Sequence, residues 1–115
     1  MGPELWGPHF WATFHTACLA GTATPNFVTE FTNSLPCPTC ASHFTELLER
    51  YPFPETRVFE WSVQIHNKVN ERLGKSLFTP EQAYEELTKK RTNFWPIITC
   101  VLLILLILSL KRWRV

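Results

Sequence analysis

The pattern of apolar and polar positions divides the chain in two. Up to Thr88, apolar residues recur at helical intervals between short stretches rich in Gly and Pro. From Thr92 to Leu110, nineteen residues run without a charge. No valine-rich alternation and no Asn-Gly turn is present, so the pattern predicts an all-α chain. No internal repeat or low-complexity run interrupts it.

The expected helices follow from the punctuation. The first spans Glu4 to Leu19 and ends before "AGTATP". The second opens at Pro25, a good first-turn residue, and runs to Ser34; Pro36 interrupts it. The third starts at Pro38 and carries "TCASHFTELLERY" up to Pro52. After the connector "YPFPET", the fourth covers Val58 to Leu73 and stops at Gly74, a suitable C-terminal cap. The fifth opens at "TPEQ", where Thr79 caps, Pro80 sits first and Gln82 completes a capping box. It reaches about Lys89, with continuation into the apolar run as one option. Helices joined by short loops suggest a small up-and-down bundle. Trp61, Ile65, Val69 and Leu73 form the stripe of the fourth helix. Phe14, Phe27, Phe31, Phe44, Leu47, Leu48 and Leu87 supply further core. So small and aromatic a body points to a staple or a bound cofactor for stability.

Charge sharpens the division. Residues 1–88 hold five Lys/Arg against ten Glu, a net of −5, whereas residues 89–115 hold six Lys/Arg and no acid. An acidic body argues against nucleic acid as a partner. The uncharged run spans ~28 Å as a helix at ~1.5 Å per residue, about a bilayer core. Trp95 and Trp113 stand near its ends, with Lys89, Lys90 and Arg91 on one flank and Lys111, Arg112 and Arg114 on the other. The alternative, a buried core helix, would normally leave a polar face, and none is present. The expectation is a membrane-spanning tail anchor over 92–110 and a short basic tail over 111–115. "MGPELWGPHFW" lacks the basic start and apolar run of a secretory signal, so the body is expected on the cytosolic face.

Three groups of residues do not read as core. Gly7, Trp11, His15 and Cys18 share one side of the first helix. A glycine there lets another group approach the backbone, and an indole offers a flat face; an ordinary aromatic core stripe has the same spacing. On the fourth helix His66, Asn67 and Asn70 share a face, with Lys75 just beyond the helix end. They suit a flat ligand with donors, acceptors and a phosphate, or else a solvated surface. "LPCPTC" places Cys37 before the third helix and Cys40 in its first turn. This pair could be a structural staple, part of a zinc site with His43 and His66, or a redox pair favoured by the helix N-terminus.

Together, "GPHFWATFH", "LPCPTC" and "HNKVNERLGK" resemble, in order and spacing, the Erv/ALR family of FAD-linked sulfhydryl oxidases, and its compact viral members in particular. The resemblance covers Gly7 to Lys75 and implies a four-helix bundle plus a short fifth helix, FAD held non-covalently at one end, and a homodimer. It assigns catalysis to Cys37 and Cys40 and no metal. It assigns FAD contacts to Gly7, Trp11, His15, His66, Asn67, Val69, Asn70, Leu73 and Lys75. The adenine-stacking aromatic of the fifth helix aligns with Leu87; the nearest aromatic, Tyr84, is carried as a further contact. The family's extra staple would need cysteines at Val63 and Pro80, and its shuttle Cys-x-x-C has no counterpart here. A separate thioredoxin-like or other dithiol protein would then reduce Cys37, and Cys40 would pass electrons to FAD and on to O2, giving H2O2. Viral cytoplasmic disulfide formation at a virion or host endoplasmic reticulum membrane is the implied setting. Cys18 and Cys100 read as small apolar fillers. The rival reading is a membrane-anchored helical adaptor with a structural disulfide or zinc site.

Overall fold

The computed structural model describes residues 1–89 and 95–114, and every regular element among them is helical. The helices are α1 (Pro3–Leu19), α2 (Pro25–Asn33), α3 (Pro38–Arg50), α4 (Val58–Leu73), α5 (Pro80–Thr88) and α6 (Trp95–Trp113). Residues 92–94, the expected start of the uncharged run, lie outside the described residues, as do Lys90 and Arg91.

Local chemistry accounts for the boundaries. Four helices begin with proline, whose missing N–H costs nothing in a first turn. Thr24 caps α2 by accepting the Phe27 N–H at 3.0 Å. At α5, Thr79 Oγ1 accepts the Gln82 N–H and Gln82 Oε1 accepts the Thr79 N–H, closing the capping box. Gly21 at φ 73° ends α1: the Thr22 N–H reaches the Ala17 carbonyl at 3.0 Å and the Gly21 N–H that of Cys18. Gly74 at φ 67° does the same for α4, and the Lys75 N–H bonds the Asn70 carbonyl at 2.9 Å. That bond tethers the Lys75 backbone to the helix end. Lys89 leaves helical geometry at ψ 111°, so α5 stops at Thr88 instead of continuing as one helix. At the other end, α6 runs past Leu110 through Lys111 and Arg112 to Trp113, since cations suit a helix C-terminus.

The core sits where α1, α3 and α4 meet. Phe14, Cys18, Val28, Phe44, Trp61 and Ile65 are buried there. Phe14 stacks on Phe31 and meets Phe44 edge-on, and the Trp61 indole N–H donates to the Tyr51 carbonyl at 3.0 Å. The expected α4 stripe holds at Trp61 and Ile65, with Val69 half-buried. Leu73 departs from it at 54 % exposed, because it lies in the last turn, beyond the packed core. Ser62 and Val63 are buried as well. The helix is central, touching α1, α3 and α5, so more than one stripe is covered. The residues of α6 are exposed throughout, and the helix is long and apolar enough to cross a membrane.

Candidate active site

α1, α3, α4 and α5 enclose a cleft of about 790 Å³. From α1 come Trp6, Gly7, Phe10, Trp11 and His15; from α4 and its end come His66, Val69, Asn70, Arg72, Leu73 and Lys75. Cys40 and Phe44 line it from α3, Ala83, Glu86 and Leu87 from α5, and Phe78 from the connecting loop. The walls are mainly apolar and aromatic, with a few polar groups at fixed places, the usual make-up of a cofactor site.

Trp11 and His66 form the flat surface of this cleft, their rings stacked with centroids 3.8 Å apart and planes within 7°. Phe78 stands edge-on to His66 at 4.8 Å. Behind them, His15 Nε2 lies 2.9 Å from His66 Nδ1, and His15 Nδ1 lies 2.8 Å from Ser62 Oγ. Burial drives the His15 pKa down to about 4. It drives that of His66 to about 3, assisted by His15 and by the positive charge of Lys75. Both imidazoles are therefore neutral at ordinary pH.

Gly7 has nothing within 4 Å of where a Cβ would stand. Glycine inside a helix costs about 1 kcal/mol relative to alanine. No neighbour among the described residues demands it, so what it preserves is free space in the cleft that it lines.

Cys37 and Cys40 form a disulfide with Cα atoms 5.2 Å apart. Cys37 is the N-cap of α3, its sulfur accepting the Cys40 N–H at 3.2 Å. Of the two, only Cys40 lines the cleft; Cys37 lies outside its wall. The pair thus connects the exterior to the cleft through one S–S bond. Among the described residues no three His, Cys, Asp or Glu side chains gather as a metal site.

Nine candidate residues come together here: Gly7, Trp11, His15, Cys40, His66, Val69, Asn70, Leu73 and Lys75. Asn67 and Tyr84 do not line the cleft. The Asn67 side chain turns toward the α4–α5 loop, donating to the Phe78 carbonyl at 2.7 Å and accepting the Phe78 N–H at 3.1 Å. It thereby holds Phe78, which lines the cleft. Tyr84 is half exposed on α5, while Leu87, one turn on, faces the cleft. Phe78, Trp6 and Ser62 were not among the candidates. Phe78 directly precedes the capping box, a detectable position; Ser62 gives no sequence signal beyond a serine in mid-helix.

The donor set fits FAD. The slot is flat-walled, Arg72 and Lys75 supply positive charge for a diphosphate, and the side chain of Asn70, which lines the cleft, makes no hydrogen bond among the described residues. The Trp6 indole N–H is buried without an acceptor among the described residues, in a residue that lines the cleft. Unmet hydrogen-bonding groups in a folded interior call for a ligand or water.

The sequence pattern of the Erv1 / Alr family matches residues 8–92. A probable FAD-linked sulfhydryl oxidase of Acanthamoeba polyphaga mimivirus is 28 % identical over 107 residues, covering 80 % of this chain and 75 % of the relative. An FAD-linked sulfhydryl oxidase of African swine fever virus is 31 % identical over 86 residues, covering 64 % and 72 %. One from Saccharomyces cerevisiae is 35 % identical over 80 residues, covering 59 % of this chain and 41 % of its own. No solved structure matches the chain.

Proposed function

The chain belongs to the Erv1 / Alr family, and from that premise we propose that it is an FAD-dependent sulfhydryl oxidase that makes disulfides in protein substrates through Cys37 and Cys40. The observation that carries this reading is the position of Cys40: it is disulfide-bonded to a half-buried Cys37 and lines the cleft that holds the Trp11–His66 stack.

The chemistry follows from thiol exchange. A substrate thiolate attacks the Cys37 sulfur, the Cys37–Cys40 bond breaks, and Cys40 leaves as a thiolate into the cleft. The substrate's second thiolate attacks its own sulfur in the mixed disulfide, forming the substrate disulfide and releasing Cys37 as a thiolate. The Cys40 N–H, already directed at the Cys37 sulfur, and the N-terminus of α3 favour negative charge there. FAD held in this cleft would supply what no side chain can, an acceptor for the electron pair of the Cys37 and Cys40 thiolates with O2 as the terminal oxidant and H2O2 as product, and the two sulfurs would re-form their bond as that pair leaves. Trp11 and His66 would hold its ring systems, Asn70 a polar edge, and Arg72 and Lys75 the diphosphate. Asn67 serves the site indirectly by fixing Phe78.

The setting we propose is a homodimer with the oxidase domain over 1–91, anchored by a membrane span over 92–110 with the basic tail beyond. The anchor lies in a virion or host endoplasmic reticulum membrane and the oxidase domain faces the cytosol, within a viral disulfide-forming pathway. A dithiol protein of thioredoxin-like chemistry would deliver electrons to Cys37. Oxygen consumption on adding a reduced dithiol protein to the flavin-loaded chain tests the activity. Uptake with matching peroxide is expected, and a flavin-loaded chain that leaves both dithiol and oxygen untouched would refute it.

A further inference from the structure

Four polar groups run in series from the interior to the cleft, and the first sets the direction of the rest. The Phe59 carbonyl can only accept, so the Ser62 hydroxyl, 2.6 Å away, donates to it. Ser62 Oγ then has lone pairs alone to offer His15 Nδ1, so His15 carries its proton on Nδ1. A neutral imidazole has one N–H, which makes His15 Nε2 an acceptor and requires His66 to donate from Nδ1. His66 is left with a bare Nε2, in a residue that lines the cleft. Burial keeps both rings neutral, as the sequence of donors requires. Ser62 itself is completely buried and does not reach the cleft.

We propose that Ser62 is a positioning residue for the cofactor: acting through His15, it locks His66 in the tautomer whose Nε2 accepts a hydrogen bond from an N–H or O–H of bound FAD. This rests on the reading of the cleft as an FAD site. It gives the cleft a fixed polarity at His66, matched to a ligand donor and opposed to a ligand acceptor. The lock operates before the cofactor arrives, so the free chain already carries it.

The full chain, labelled with 15N-histidine, held in detergent micelles and free of FAD, shows the lock directly in imidazole 15N–1H correlation spectra. His15 and His66 are expected as pure Nδ1–H tautomers, with the exposed His9 and His43 as internal contrast. In Ser62→Ala the two rings become tautomeric mixtures. FAD affinity, measured calorimetrically on the apoprotein, falls roughly tenfold with the helical circular dichroism unchanged. A wild-type His66 protonated on Nε2 overturns the proposal, as does a Ser62→Ala chain with unaltered tautomers and affinity. FAD binding that persists alongside an unlocked His66 defeats this proposal alone. A wild-type chain unable to bind FAD defeats the oxidase reading and this proposal with it.

Discussion

Trp11 lies flat against His66, 3.8 Å between ring centroids, and this contact joins α1 to α4 at the floor of the cleft. The two residues are 55 positions apart in the chain, so the stack depends on α1 packing along α4. Removing the indole takes away both a wall for a flat ligand and a clamp between helices. Trp11→Ala is expected to weaken FAD binding by roughly tenfold or more, given the size of aromatic stacking and burial terms. Calorimetric titration of FAD into the apoprotein measures it; unchanged affinity would remove Trp11 from the site.

The two cysteines have different surroundings, and their variants should behave differently. Cys40→Ser leaves Cys37 able to hold a substrate, so mixed disulfides with a dithiol protein should accumulate on non-reducing gels while turnover stops. Cys37→Ser should stop turnover with the protein substrate and trap far less adduct, because Cys40 faces inward. Both variants should keep FAD. Equal trapping by the two would contradict the assignment of Cys37 as the outer sulfur.

The paired histidines make stability depend on pH. Their folded pKa values, about 4 and about 3, lie below the ordinary 6.5. The unfolded chain therefore binds protons first as pH falls, so the contribution is complete above 6.5 and is lost as pH drops toward 4 and then 3. Between pH 6.5 and 5, where most carboxylates have yet to titrate, the loss should be on the order of 2 kcal/mol. Thermal melts across that interval should show a falling Tm, with a shallower slope in His15→Gln. A flat profile would mean that the rings are not held neutral.

Much of this arrangement was legible in the chain, because helix ends are written in single residues. Pro25, Pro38 and Pro80 mark starts, Gly74 marks a stop, and the Thr79–Gln82 box is complete in sequence and in space. Gly7, Trp11 and His15 at steps of four gave one wall of the cleft. Asn67 was harder to place. At ~100° per residue it sits ~100° around the helix from His66, at the margin of the shared face. Its destination was decided by the Phe78 backbone, which only the folded loop brings there. Ser62 was invisible for a similar reason: a mid-helix serine reads as surface until three packed helices enclose α4. For Tyr84 and Leu87, residue type favoured the tyrosine, while the rotation of α5 turns the leucine inward.

Asn67 offers a test at a distance from the cleft. Asn67→Ala removes both bonds that fix Phe78, at a cost of about 1–3 kcal/mol if its backbone groups stay unpaired. A lower Tm and several-fold weaker FAD binding are expected, although the side chain itself lies off the cleft. Full FAD affinity in a destabilised Asn67→Ala chain would show that Phe78 does not shape the site.

Whether Cys40 works against a flavin in this cleft can be read from the visible absorbance spectrum of the purified full chain in detergent. A yellow protein is expected, its flavin bands bleaching without oxygen when a dithiol is added and returning in air, with Cys40→Ser equally yellow but slow to bleach. A colourless chain that takes up no added FAD would contradict it, as would a flavin that bleaches equally fast without Cys40.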